Sequence, residues 1–375
     1  MTVGIVAEYN PFHNGHEYQI NKAKELTGAD TVVVVMSGSF VQRGEPALCS
    51  KWARAEMALS CGADLVVELP VCFAVRSAEF FARGAVKILN ALNVDNIAFG
   101  SETENVDRLA RIAEVLSDQS FDNSTKIKQY LSEGISYPFA VAKAYPEFAD
   151  ALITPNNVLG IEYIKAGGKN PVAIQRIGVN HDGGANGDHA SASYIRVNLH
   201  FAEKYMPQSA YKILQREIST GACSPSDDRL SDIILSRLRG ESPEVLKKIC
   251  DVSEGLENRI ISSAKTVTHL EELYNVVKTK RFTHARIQRI MMNYALGITK
   301  EFERCEPTYV RVLGSNTKGF AVLKDCRLPV ITKTAGLEDR IFEREVYATD
   351  LYSLLFNDRE ARVGGKDFTT SPVIF

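Results

Sequence analysis

Val3-Gly4-Ile5-Val6-Ala7-Glu8-Tyr9-Asn10-Pro11-Phe12-His13-Asn14-Gly15-His16-Glu17 is the stretch on which the fold of this chain turns. Val3–Ala7 is a short apolar run and reads as a buried β-strand. Pro11 stops that strand from continuing, and Gly15 lets the backbone turn tightly and approach a ligand closely. From Glu17 to Leu26 the apolar residues Ile20, Ala23 and Leu26 recur every third position, and Gly28 stands where a helix C-terminal glycine belongs. A helix that starts there points free N–H groups and a positive dipole end at the strand edge, an arrangement that suits phosphate. His13 and His16 lie in the same turn, two of only seven histidines. They can donate hydrogen bonds to phosphate oxygens and stabilise charge that builds up in phosphoryl or nucleotidyl transfer.

Downstream the pattern repeats. Thr31–Met36, Leu65–Leu69, Ile97–Phe99 and Val172–Ile177 are near-continuous apolar runs, as in a parallel sheet covered on both faces. Helical spacing fills the gaps at Ser50–Cys61, Ala78–Leu92 and Val106–Leu116. The alternation predicts an α/β fold with a Rossmann-like, doubly wound parallel sheet, and ligands at the carboxyl ends of its strands. From Glu203 onward the strand signal fades into helical spacing at Tyr205–Glu217, Asp228–Arg239, Glu244–Ile249 and Leu256–Ala264, with a connector at Ser219–Asp227. Strands return near Tyr309–Leu313 and Leu328–Thr332. At about 150 residues per domain, 375 residues allow two or three. The expected division is a Rossmann-like domain over residues 1–200, a mainly helical domain over 201–305 and a small α/β tail over 306–375.

Composition narrows the class. The chain is 45% hydrophobic and 24% charged, with 44 Lys+Arg against 46 Asp+Glu. This excludes a mostly disordered chain and argues against a uniformly basic nucleic-acid coat. The net charge of −2 hides a local surplus, however. Val276–Lys300 holds Lys278, Lys280, Arg281, Arg286, Arg289 and Lys300 and no acid, which leaves −8 for the rest. Ile287, Ile290, Met291 and Tyr294 bury one face of that segment. Its basic residues read either as a surface for phosphate backbone or as a solvated helix face. No apolar run reaches the ~18 residues that span a bilayer, and no basic n-region leads a cleavable apolar stretch. Seven scattered cysteines without CxxC read as buried small hydrophobes in a reducing compartment. The expected location is therefore cytoplasmic, with no membrane contact and no obligatory protein partner evident.

His13-Asn14-Gly15-His16 after an N-terminal strand resembles the HxGH motif of the nucleotidyltransferase and class I aminoacyl-tRNA synthetase superfamily. Ser191-Ala192-Ser193-Tyr194-Ile195-Arg196 looks like its second element, a hydroxyl-rich loop with an arginine that holds the β- and γ-phosphates. It departs by Ala192 and by Ser193 in place of a common Thr, and taken alone it reads equally well as a capped helix start. Glu8–His16, Phe99-Gly100-Ser101-Glu102, Pro155–Gly160 and Arg176-Ile177-Gly178, together with Thr279-Lys280-Arg281 and Leu328–Lys333, resemble in order the bacterial tRNA(Met) cytidine acetate ligase family.

That resemblance covers the chain nearly end to end. It implies ATP-dependent acetylation of N4 on the wobble cytidine of elongator tRNA(Met), with acetate activated as acetyl-adenylate and pyrophosphate released. It implies an ATP site along Val6, Ala7, Glu8, Tyr9, Asn10, Pro11, Phe12, His13, Asn14, Gly15 and His16, with Gly100, Arg176, Ser191, Ser193 and Arg196. One of Asn156 and Asn157 joins them; Asn157 is favoured, with an N-cap role open for Asn156. His13 and His16 take the catalytic roles, and Lys278, Lys280, Arg281, Arg286 and Arg289 contact tRNA. The rival readings are a nucleotidyltransferase that makes a nucleotide cofactor and a non-catalytic tRNA-binding protein.

The chemistry matches those residue types. Acetate is a poor acyl donor, and adenylation supplies a leaving group. Two anions must then meet, so donors and cations must offset the phosphate charge. Mg²⁺ is expected to ride on the ATP phosphates, with no dedicated metal site. His181-Asp182 and Asp188-His189 flank a glycine-rich loop that reads as a phosphate- or RNA-facing lid rather than a metal site. Ser37–Pro46 reads either as a loop closing over substrate, with Gln42 and Arg43 near the acyl or cytidine pocket, or as a solvated connector. Lys51 and Arg54, one turn apart, are expected on a solvated helix face.

Overall fold

A computed structural model describes the chain apart from residues 119–120, 177–183 and 254 and the side chains of 121–124. Ile177, Gly178, His181 and Asp182, singled out above, lie outside the described residues.

Strands β1 (Thr2–Ala7), β2 (Thr31–Ser37), β3 (Leu65–Leu69), β4 (Asn96–Ser101) and β5 (Pro171–Gln175) form a parallel sheet in the order β3-β2-β1-β4-β5. Beside β1 the winding reverses, with β2 on one flank and β4 on the other. The crevice of a doubly wound sheet opens at such a reversal. Both faces are covered. In β2, Val33 and Val35 join one core with Ala85, Leu89 and Ile161, while Val32, Val34 and Met36 join another with Ile20, Ala53 and Leu214. That two-sided burial is why these strands read as unbroken apolar runs. Helix α1 (Asn14–Thr27) starts three residues before its apolar spacing predicts, because His13 caps it. Ser50 caps α2 (Lys51–Ser60) in the same way.

The helices Asp227–Arg239, Leu256–Ala264, Leu270–Val277 and His284–Leu296 bury Ile234, Ile260, Leu273 and Ile290 in the same continuous core as Val33. A two-stranded hairpin, β6 (Ala185–Asn186) with β7 (His189–Ala190), follows β5. The last segment returns to the main sheet. Strand β8 (Val310–Ser315) runs antiparallel beside β3, and the short β9 (Val330–Ile331) and β10 (Val373–Ile374) pair with β8.

This return corrects the expectation for Lys51 and Arg54, which are both fully buried. Lys51 Nζ sits 2.6 Å from Glu68, 2.8 Å from Asp367 and 3.2 Å from Glu345, while Arg311 of β8 joins Glu68 at 3.1 Å. Arg54 donates to the carbonyls of Glu8, Ser37, Gly38 and Cys49. Helical spacing does show that the two share a side of α2, but the C-terminal segment covers Lys51, and the chain leaving β1 and β2 covers Arg54. Burial and the neighbouring Glu68 push the Glu345 carboxyl up to about 8. A protonated Glu345 leaves Lys51 and Arg311 balanced by Glu68 and Asp367, so the buried group carries no excess charge.

Candidate active site

The carboxyl ends of β1 and β4 face a cleft of ≈ 260 Å³. Its floor is the turn that leaves β1, where Tyr9 takes φ 47° and the Asn10–Pro11 peptide is cis. His13 accepts the Gly15 N–H on Nδ1 at 3.1 Å, and His16 accepts the His13 N–H on Nδ1 at 3.2 Å. An amide on Nδ1 assigns each ring proton to Nε2. The two rings stack with centroids 3.6 Å apart. Burial, then the nearby Arg176 and His189, lower the His13 pKa to about 3; burial, then His13, hold His16 well below its usual value. At neutral pH both are therefore uncharged donors rather than cations. Neutral N–H donors of this kind suit phosphate oxygens, on which charge is redistributed during phosphoryl or nucleotidyl transfer.

The other anticipated residues divide into those that line the cleft and those that build it. Val6, Ala7, Glu8, Tyr9, Asn10, His13, His16, Gly100, Arg176, Ser191, Ser193 and Arg196 line it. Gly15 borders the adjoining recess beside His189 and Arg176. Pro11 and Phe12 are buried beneath the turn. The Asn14 side chain donates to the carbonyl of Asp188, 2.8 Å away, and so ties the hairpin to α1. Ser191 caps the helix Ala192–Val197, as the capped-helix reading expects, and it also lines the cleft. Arg196 reaches the Asn10 carbonyl at 2.9 Å and Glu45 at 3.3 Å.

The favoured asparagine is not the one at the cleft. Asn157 is buried; its Oδ1 accepts from Ser101 Oγ at 2.6 Å and from the Glu102 N–H at 3.0 Å. Asn156 lines the cleft and accepts from Arg176 Nη1 at 3.2 Å. Glu102 takes the Asn156 side-chain amide at 2.6 Å and the Asn157 N–H at 2.9 Å, placing a carboxylate at the N-terminus of the helix Pro155–Lys165. Three separated motifs thus form one network. A Cβ on Gly160 would lie 2.3 Å from the Phe99 ring, so glycine there lets this helix pack against β4.

Sequence reasoning missed Gln19, Phe81, Leu159, Tyr163 and Glu45 as cleft residues. Glu45 carried a signal, since it stands in the glycine-rich loop after β2. Of that loop, Val41, Gln42 and Arg43 line the cleft, so the closing-loop reading fits better than a solvated connector. The loop is braced by the helix His284–Leu296, where a Cβ on Gly44 would meet the Gln288 carbonyl at 3.0 Å. In the basic stretch, Lys278 and Lys280 are exposed, whereas Arg281 is half-buried. Arg286 donates to the Asp251 carbonyl at 2.8 Å and to Ser253 Oγ at 2.8 Å, and Arg289 lies 3.9 Å from Asp251. Among the described residues no group of three or more His, Cys, Asp or Glu could hold a metal ion, and no helix is long and apolar enough to cross a membrane.

The HIGH Nucleotidyl Transferase family matches residues 1–367. A tRNA(Met) cytidine acetate ligase of Thermoanaerobacter sp. (strain X514) is 40% identical over 98% of each chain, and one of Acetivibrio thermocellus is 38% identical over 99% of each. The crystal structure of Thermotoga maritima TmcAL bound with alpha-thio ATP superposes with a TM-score of 0.92 at 33% identity, covering 100% of this chain and 99% of that one. Matched over nearly its whole length by that family and by these relatives, this chain belongs to the tRNA(Met) cytidine acetate ligases of the HIGH nucleotidyl transferase family.

Proposed function

We propose that this protein joins acetate to N4 of the wobble cytidine of elongator tRNA(Met), using ATP. The observation that carries the reading is the pair of stacked imidazoles, each with Nδ1 on a backbone amide and Nε2 left for a ligand, at the mouth of β1 in the cleft. Acetate attacks the α-phosphorus of ATP; the P–O bond to pyrophosphate breaks, and acetyl-adenylate forms. His13 and His16 donate to the phosphate oxygens as charge shifts to the leaving group. Arg176 and Arg196 line the cleft and add positive charge, and the Ser191 and Ser193 hydroxyls line it with them. Gly100 and Asn156 flank the adenosine.

Mg²⁺ would be carried on the phosphates of ATP and would lower their repulsion toward acetate. The cytidine amine then displaces AMP. Lys278 and Lys280, exposed on the helical part, supply phosphate-backbone contacts for tRNA. In this assignment residues 1–200 perform adenylation, 201–305 hold tRNA, and 306–375 brace the catalytic sheet.

The test is incubation with ATP, acetate and tRNA(Met), followed by mass spectrometry of nucleosides. N4-acetylcytidine that requires all three supports the reading. Pyrophosphate release that depends on a phosphorylated metabolite instead of acetate would sink it.

A further inference from the structure

Glu8 is the first residue after β1, and its carboxyl group lines the cleft. Its Oε1 accepts from the Gln42 N–H at 2.7 Å. Among the described residues no cation lies within ion-pair distance of it. Arg54 reaches the Glu8 backbone carbonyl instead, at 2.6 Å, and Arg196 pairs with Glu45 at 3.3 Å. The cleft wall therefore carries a carboxyl group with no direct ion-pair partner among the described residues, while Arg196 and Arg54 act on it only from farther away. Such a group repels acetate and a triphosphate. It suits the second half of the reaction, in which the incoming nucleophile is a neutral amine that must lose a proton.

Among the described residues, the other ionisable groups considered at the cleft are already committed. His13 and His16 hold their Nδ1 atoms on backbone amides and present Nε2–H. The Tyr163 hydroxyl stays protonated in its buried setting. Glu45 is already bound to Arg196 and to Gln288. Val6, Ala7, Phe81, Phe99 and Tyr163 give the cleft an apolar side that fits a methyl group.

We propose that Glu8 is the general base that accepts the N4 proton of cytidine during acetyl transfer, an inference that rests on the ligase reading above. The N4 lone pair adds to the acetyl carbonyl carbon and forms the N–C bond. The acyl C–O bond to the phosphate breaks, and AMP leaves with that electron pair. The N4 proton passes to Glu8 Oε2, and from there to water as AMP departs. Burial raises the Glu8 carboxyl, with Glu45 adding to the rise and the Gln42 amide, Arg196 and Arg54 opposing it. These groups, with Tyr163, are the charged and titratable neighbours that shape its pH response.

The experiment measures the two half-reactions separately in the full-length protein. Acetate-dependent ATP–pyrophosphate exchange reads adenylation, and single-turnover transfer from preformed acetyl-adenylate to tRNA(Met) reads acylation. In Glu8→Gln the amide oxygen still accepts from Gln42. Transfer should fall by ~10²-fold or more, exchange should fall far less, and the acid limb of the transfer pH profile should vanish. Glu8→Asp should keep that limb at a reduced rate, and it carries the test if thermal melting shows Glu8→Gln to be misfolded. An equal loss in both half-reactions overturns the proposal, as does transfer within about threefold of the parent protein or a pH-independent Glu8→Asp. If the parent protein shows no acetate-dependent exchange, the ligase reading itself fails.

Discussion

The rings of His13 and His16 stack 3.6 Å apart, and the His13 backbone N–H donates to Nδ1 of His16. The motif is thus a self-locking turn, in which each imidazole spends one nitrogen on the backbone and offers the other to a ligand. In the proposed mechanism, removing the His16 ring removes one donor from the α-phosphate under attack. His16→Ala should lower acetate-dependent ATP–pyrophosphate exchange by ~10²-fold or more, with a much smaller change in ATP binding measured by calorimetry. A loss below threefold would contradict the role.

The same pair links stability to pH. The folded pKa of His13, about 3, lies below the ordinary value of 6.5, so the unfolded chain binds the proton more readily. The stabilisation from neutral His13 is complete above pH 6.5 and is lost as pH falls from there toward 3. Urea unfolding followed from pH 7 to pH 4 should show stability dropping, with a slope of up to ~1.4 kcal/mol per pH unit for one such group. His13→Asn should flatten that slope.

Asn156 and Asn157 should separate cleanly. Asn157→Ala strands Ser101 Oγ and the Glu102 N–H and should cost about 1–3 kcal/mol of stability. Asn156→Ala should leave stability nearly unchanged and raise the KM for ATP. Equal behaviour of the two in denaturant and in exchange assays would refute the assignment.

The buried charges around Lys51 should be costly to unbalance. Lys51→Met leaves Glu68 and Asp367 with only Arg311 and should destabilise by about 3–5 kcal/mol. Glu345 titrates with the opposite sign to His13. Its folded pKa of about 8 lies above the ordinary 4.5, so its stabilisation is complete below pH 4.5 and is lost as pH rises through 8. Glu345→Gln should abolish that loss, which falls between pH 4.5 and 8 in urea titrations.

Lys278 and Lys280 are exposed, whereas Arg286 is engaged with Asp251 and Ser253. Replacing both lysines with alanine should weaken tRNA binding and reduce the slope of log K against log salt by about 2, with the KM for ATP unchanged. Arg286→Ala should instead lower the urea midpoint. Filter binding across a salt series distinguishes the two effects.

Much of the site was legible because its information is local. Val3–His16 contains its own strand, its own breaker and its own cap, so neighbouring residues suffice to shape the phosphate-facing turn. The five parallel strands were equally visible, since two-sided burial writes an unbroken apolar run. The choice of Asn156 over Asn157 was not legible. It depends on which face of the helix start meets Ser101 and Glu102, and those residues lie more than fifty positions away.

By itself, then, the sequence determined the winding of the sheet, the HxGH turn and the class of chemistry, because backbone periodicity and turn residues act over a few positions. Tertiary structure alone decided which charges are free. Lys51 and Arg54 share one side of α2, and nothing nearby in sequence says that Asp367 will close over Lys51 or that the chain leaving β1 and β2 will close over Arg54. Glu8 is a carboxylate next to an arginine-rich cleft, yet only the packed chain sends Arg54 to its backbone carbonyl and Arg196 to Glu45. The partner of a charge is set by long-range packing, and the partner decides whether that charge supports the fold or meets the substrate.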